Sequence, residues 1–262
     1  MVHRYLKTGV SALLLGISGC SVYVPMQGAA PEIRAKGEVE LTGSWALSNR
    51  VDFGATYSPV PHLLVRAATS FKGSRPDSGP GQDSASYARN NQYELAVGTY
   101  WPLGAHWLVG GLAGFGRAQA QARYIDDGAT LLTFREPIRH QLDGAYSKYS
   151  GEAYALYQPS PLVSFGLAYR VVQLRLTDIT DLGAPVSSAP ILRQEPMLVF
   201  RLRPEFAQRS LQFQVALGAS NTFGYNPRAA NDETDPARQF KLGRSYTSVG
   251  VAFYPHLLGQ KK

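Results

Sequence analysis

Ten stretches of this chain place an apolar residue at every second position, with polar or small residues between. Successive side chains of an extended strand point to opposite faces, so a period of two dictates strands with one apolar face and argues against amphipathic helices over the same residues. In 38–47, Val39, Leu41, Trp45 and Leu47 share one face, while Glu38, Glu40, Thr42 and Ser44 share the other. Ser48-Asn49 reads as a tight turn, after which Val51, Phe53, Ala55 and Tyr57 alternate with Asp52, Gly54, Thr56 and Ser58 until Pro59 and Pro61 end the strand. Further strands are expected at 62–72, 92–101, 107–124, 146–157, 162–176, 196–203, 211–221 and 245–254. Composition agrees, since 26 Gly, 17 Pro, 15 Tyr, 11 Phe and 3 Trp against 3 Met favour many turns and aromatic-bearing strands. With 262 residues, 44% apolar and 17% charged, the chain has enough hydrophobic material for one large all-β domain, and disorder and coiled coil are excluded.

The connections sort by length. After the first hairpin, short links at 59–61, 102–106, 158–161 and 204–210 alternate with long ones at 73–91, 125–145, 177–195 and 222–244. Threaded up and down, the short links and both chain ends fall at one end, and the long loops and the 48–49 turn at the other. A Greek-key sandwich has no reason to sort its loops this way, whereas short periplasmic turns and long external loops are the layout of an outer-membrane barrel. The faces fit a lipid exterior: Tyr93, Leu95, Val97 and Trp101 alternate with Gln92, Glu94, Ala96 and Gly98, and Leu211, Phe213, Val215 and Leu217 with Gln212, Gln214 and Gly218. Aromatics near strand ends, including Trp45, Tyr57, Phe71, Tyr93, Trp101, Tyr149, Tyr157 and Phe253, supply interfacial girdles. Glycines 110, 111, 114 and 116 suggest a bulge in the fifth strand, and Arg117, Gln119, Gln121 and Arg123 alternate with alanines beyond the membrane rim.

Across residues 36–256 this pattern resembles the small bacterial outer-membrane β-barrel families, which implies a closed up-and-down antiparallel barrel of about ten strands. A typical member ends on an aromatic residue, whereas here Phe253-Tyr254 is followed by Pro255 and a tail to Lys262. Apolar faces directed outward put Glu38, Glu40, Asp52, Glu94 and Glu152 inside together with Arg66, Lys148, Arg170 and Arg201. A narrow barrel filled by such near-balanced charges is a salt-bridged plug; the competing reading is a selective pore lined by them. A charge is expected to be better tolerated at lumenal Gln214 than at lipid-facing Val215.

At the amino terminus, Arg4 and Lys7 precede a small, apolar stretch from Thr8 to Gly19 that is too short to cross a bilayer as a helix. It ends at Cys20, the one cysteine of the chain, which excludes an internal disulfide and a cysteine-built zinc site. Ile17-Ser18-Gly19-Cys20 resembles the lipobox of bacterial lipoproteins, which implies cleavage after residue 19 and lipidation of Cys20. Ser21 is not the aspartate associated with inner-membrane retention, so the implied destination is the outer membrane. Residues 20–35 are expected to be a lipidated tether beside the periplasmic mouth, 36–256 the barrel, and 257–262 a tail.

Chemistry-bearing motifs are sparse. His62, His106 and His256 fall at the expected periplasmic rim and His3 within the signal, which leaves His140 on the external side with Asp126, Asp127, Arg135, Glu136, Arg139 and Asp143. A ten-stranded barrel with acids and a histidine at its external mouth is similar to the omptin proteases, but of their Asp-Asp and Asp-His dyads only Asp126-Asp127 is present. Asp232, Glu233 and Asp235 lie in a loop where such acids are usually just solvated. No phosphate-binding glycine loop or basic stripe supports nucleotide or nucleic-acid binding, and neither cofactor nor metal is expected. The expectation is therefore a lipid-anchored, non-enzymatic outer-membrane barrel, in contact with outer-membrane lipid, with a structural or surface-interaction role. An external ligand or protein would be met through loops 73–91, 125–145, 177–195 and 222–244. The alternatives are a small-solute pore, a hydrolase built on His140, and a lipid-anchored periplasmic sandwich.

Overall fold

In the computed structural model the described residues are 22–73, 87–126, 138–205, 209–226, 235 and 237–258. Ten long strands form the wall: β1 (Val39–Ala46), β2 (Arg50–Tyr57), β3 (Leu64–Lys72), β4 (Tyr87–Leu103), β5 (Trp107–Asp126), β6 (Ile138–Ser160), β7 (Val163–Leu176), β10 (Ile191–Leu202), β11 (Leu211–Thr222) and β12 (Arg244–Phe253). Two-residue strands β8 (Thr180–Asp181) and β9 (Ala184–Pro185) form a small ladder on the edge of β6. Each long strand pairs antiparallel with its neighbours, β1 pairs with β12, and the β5–β6 ladder closes the circle. Closure gives each of the ten long strands a partner on both sides, which is the condition for a sheet to exist in lipid.

The sequence alternation becomes an inside-out distribution of side chains. Leu41, Trp45, Phe53, Tyr57, Leu95, Val97, Leu167, Leu198, Phe213, Val215 and Val249 are exposed on the outer wall, while Glu40, Asp52, Glu94, Arg170, Gln212 and Gln214 are buried inside. A wall apolar outside and charged inside is stable only where its outer face meets hydrocarbon, so the fold is that of an outer-membrane β-barrel. The turns sort as read: short at the mouth holding the starts of β1, β3, β5, β7 and β11, which is periplasmic by this layout, and longer at the opposite, external mouth. The 48–49 turn is tight, with Asn49 in the left-handed region at φ 57°.

Three strands run further than the alternation indicated, since β4 starts at Tyr87, β6 at Ile138 and β10 at Ile191. On the external side the pattern inverts, with Leu142 and Tyr146 of β6 and Ala88 of β4 packed in an apolar cluster inside and Arg89, Gln141 and Asp143 exposed outside, so the contrast of a lipid-facing strand is lost although the ladder continues. The suggested bulge in β5 is absent: β4–β5 and β5–β6 keep one register throughout. A Cβ at Gly110 would strike the Tyr154 ring, and one at Gly116 the Lys148 side chain, so these glycines make room for lumenal side chains.

The largest departure concerns the expected tether. Residues 22–33 are all buried, because the segment lies inside the barrel and not beside its periplasmic mouth.

Candidate functional site: a peptide-filled lumen under an external His–Asp pair

The lumenal segment descends along the wall step by step. Asn90 of β4 donates to the Val22 carbonyl at 3.3 Å, and Gln92, two residues lower on the same strand, to that of Val24 at 2.8 Å. On β6 its neighbours move from Tyr146, whose ring lies 6.1 Å from that of Tyr23, to Lys148 against the Met26 sulfur, to Glu152, which accepts from the amides of Ala29 and Ala30 at 2.9 and 3.0 Å. Arg50 donates to the Pro25 carbonyl, and Ser248 to the Gln27 side chain at 3.0 Å. Ala30 and Ile33 join a cluster with Leu64, Tyr100, Leu108 and Leu156, and Glu32 accepts from Ser164 at 3.0 Å and Gln212 at 2.9 Å. The amide of Glu32 donates to Glu40 at 2.7 Å. An extended peptide cannot satisfy its own backbone groups, so these wall side chains do for the segment what a neighbouring strand would do.

Glu94 is the electrostatic centre. Arg170 donates to it directly, the Lys148 ammonium lies 3.2 Å away, and Arg66 lies 3.8 Å away. Arg201 stands 3.6 Å from Glu40 and 3.8 Å from Glu32, Arg203 is 3.2 Å from Glu32, and Arg50 pairs with Asp52 at 2.8 Å. Among the described residues the buried charges comprise six acids (Glu32, Glu40, Asp52, Glu94, Glu152, Glu195) and six bases (Arg50, Lys72, Lys148, Arg170, Arg193, Arg201). Such balance is what a desolvated charge cluster requires. A cavity bounded by Met26, Gln27, Asp52 and Gln214 measures about 10 Å³, room for about one water.

Of the nine charges read from the sequence as interior, Glu40, Asp52, Glu94, Lys148, Glu152, Arg170 and Arg201 are buried in the lumen. The Arg66 side chain is also enclosed, being only 8% exposed. Glu38 sits at the periplasmic mouth, accepting from the Arg34 amide at 2.7 Å with its side chain 24% exposed. Tyr254, just past β12, plugs the same end and donates to Glu40 at 2.9 Å and Gln212 at 2.7 Å. Burial first, and then the Glu40 charge, hold its hydroxyl well above the ordinary phenol range, so it stays a donor. Glu32, Arg50, Arg193 and Glu195 were not singled out from the sequence: the first lay in the expected tether, Arg50 beside a turn, and the last two before Pro196, which reads as a strand boundary.

Arg193 closes the external end. It donates to Ser220 at 2.8 Å, to the carbonyl of Phe240 at 2.6 Å and to that of Leu242 at 2.9 Å, and its guanidinium lies 4.6 Å from the Tyr23 ring. It thereby clamps the short helix α1 (Arg238–Lys241) over the mouth, where the Val22 amide donates to the Gln239 carbonyl at 3.1 Å. On the outer wall at this end, Arg89, Arg117, Arg123, Arg139 and Arg175 are exposed on β4–β7, Arg117 level with Tyr93.

Above the lumen, His140 Nδ1 meets Asp181 Oδ2 at 2.6 Å, and the imidazole stacks on Tyr124 with centroids 4.9 Å apart and planes at 15°. Asp181 is fixed by the β6–β8 ladder and by the Gln141 amide, which donates to its other oxygen at 2.9 Å. A carboxylate on one ring nitrogen sets the tautomer and orients the other nitrogen, as a general base requires. Among the described residues Asp181 is the hydrogen-bond partner of this imidazole. The neighbours expected from the sequence differ: Asp143 is exposed and faces Gln121 across the outer wall, and Arg139 is exposed on the outer face. Asp127, Arg135 and Glu136, and likewise Cys20, Asp232 and Glu233, lie outside the described residues, as does the Asp126 side chain. Asp235 pairs with Lys241.

No family model and no curated protein matches this chain. Among solved structures it is similar to the outer membrane protease OmpT from Escherichia coli, at 10% identity and a TM-score of 0.43 over 83% of this chain and 93% of that one. It is likewise similar to the translocator domain of the autotransporter NalP from Neisseria meningitidis (11%, TM-score 0.40, 96% of this chain and 95% of that one) and to LpxR from Salmonella typhimurium (5%, TM-score 0.37, 83% and 99%). At such identities the likeness concerns the fold. The expectation that the chain is not an enzyme is corrected here: barrels of this kind include a protease, and the missing Asp-His dipeptide did not prevent a His–Asp pair from forming.

Proposed function

We propose that this outer-membrane barrel is anchored by a lipid on Cys20, sealed by its own amino-terminal segment, and engages a surface partner through its external rim. The observation that carries the sealed state is the burial of residues 22–33 against the charges of the wall. A lumen filled by bonded peptide offers no continuous water path, which disfavours the small-solute pore. The purified protein should therefore be silent in planar bilayers, and steady ion conductance would overturn the sealed-barrel reading. The anchor is tested separately: labelled fatty acid should enter the wild-type protein and not Cys20→Ser, and an unlabelled wild type removes it.

A second reading is favoured by the 2.6 Å His140–Asp181 contact, a histidine–acid pair at an external mouth. It makes the rim a hydrolytic site for peptide or lipid substrates, with His140 as general base. Hydrolysis by the purified barrel that falls at least about tenfold in both His140→Ala and Asp181→Asn, the range for loss of a positioned base, would support it. Activity unchanged in both would remove it.

A further inference from the structure

The lumenal segment has a direction. Its partners progress from Asn90 to Gln92 on β4, and from Tyr146 through Lys148 to Glu152 on β6, as the segment advances from Val22 to Ala30. Both strands run from the long-loop mouth toward the short-turn mouth, so the segment runs the same way. Val22 is bonded to α1, whose connection belongs to the external end, and Gly37 donates to Ser58 at the periplasmic end just before β1 begins. Eleven steps from 22 to 33 reach at most about 36–40 Å when fully extended, a limit that Ala30, at φ 34°, shortens, against an apolar band about 25 Å tall.

We infer that the lumen is the path by which the chain upstream of Val22 reaches the cell surface, so that Cys20 stands at the external mouth. Ser21 alone separates Cys20 from Val22, two steps with a reach of about 7 Å, too short to return through a filled lumen. A tether ending in the periplasmic leaflet, as the sequence alone suggested, would have to leave residues 22–33 outside the barrel. Resting on the lipid anchor proposed above, a lipid on Cys20 is then displayed on the external side of the membrane. The arrangement places anchor and long loops on one side of the membrane, and the segment acts as a strap between the two mouths.

The test is a short epitope inserted between Ser21 and Val22 of the full chain, with the same epitope between Gly104 and Ala105 of the short β4–β5 turn as the reference. Heat-modifiable gel migration of both proteins verifies the folded barrel. Antibody should reach the 21–22 epitope on intact cells, and the 104–105 epitope only after permeabilisation. A 21–22 epitope reached only after permeabilisation overturns the inference, as does an inverted pattern with the 104–105 epitope exposed on intact cells. A surface-exposed 21–22 epitope on a protein that incorporates no fatty acid upholds the path through the lumen and removes the lipid anchor.

Discussion

Glu94 gathers more of the lumenal charge than any neighbouring side chain, since Arg170, Lys148 and Arg66 all converge on it. Removing one partner from a buried cluster strands the others, and the expected cost of Glu94→Gln is about 3–5 kcal/mol, read as a lower urea midpoint of the detergent-solubilised barrel. Arg66→Gln, at 3.8 Å, should cost clearly less, and equal losses would show that Glu94 is not the hub. At Tyr254 the raised hydroxyl pKa contributes stability that is complete below the unfolded phenol value of about 10 and lost as pH rises through the folded one. Tyr254→Phe should therefore flatten the fall in stability at alkaline pH, and an unaltered profile would place that titration elsewhere. Site residues such as Glu40, Asp52, Glu94 and Arg170 were legible because each alternates with an apolar neighbour in a strand. Glu32 was not, since it belongs to no strand. Nor was Asp181, whose partnership with His140 spans 41 positions and follows from the β6–β8 ladder, which leaves no periodic trace.

The strands themselves were read largely correctly where lipid enforces the contrast between their faces. β11 shows this: Leu211, Phe213, Val215 and Leu217 point out, while Gln212, Gln214 and Ala216 point in. Val215 is 41% exposed on the wall, so Val215→Arg should cost about 2–4 kcal/mol of folding in lipid. A spin label at 215 should be relaxed by lipid-dissolved oxygen and shielded from water-soluble relaxants; shielding from both would mean a packed protein core. The lumenal position is tight, since Gln214 lines a cavity of about 10 Å³ together with Met26, Gln27, Asp52 and Arg66. Gln214→Arg adds volume to this filled space and should also destabilise, so the label and not the mutant pair distinguishes the faces. Where lipid ends the reading loses accuracy, as at the external ends of β4 and β6. It also fails at β10, where the wall-facing Pro196 pairs opposite Tyr169 within an otherwise continuous ladder.

At the scale of the molecule, wall and strap form one object. Deleting residues 22–34 should convert a silent barrel into a conducting one and lower its resistance to detergent unfolding, both measurable on the purified protein. A deletion that stays silent would mean that side chains of the wall close the lumen without the peptide. The strap also dictates an order of events during biogenesis. A peptide pinned along its length by six or more strands cannot be pushed through a finished ring, so the ring must zip shut around it. The seam for this is β1–β12, whose six paired residues make it the shortest ladder of the wall and join the first strand to the last. Whatever lies ahead of Val22 must consequently have crossed while that seam was open. A tightly folded domain fused at the amino terminus should stall insertion, whereas an unfolded extension of equal length should not.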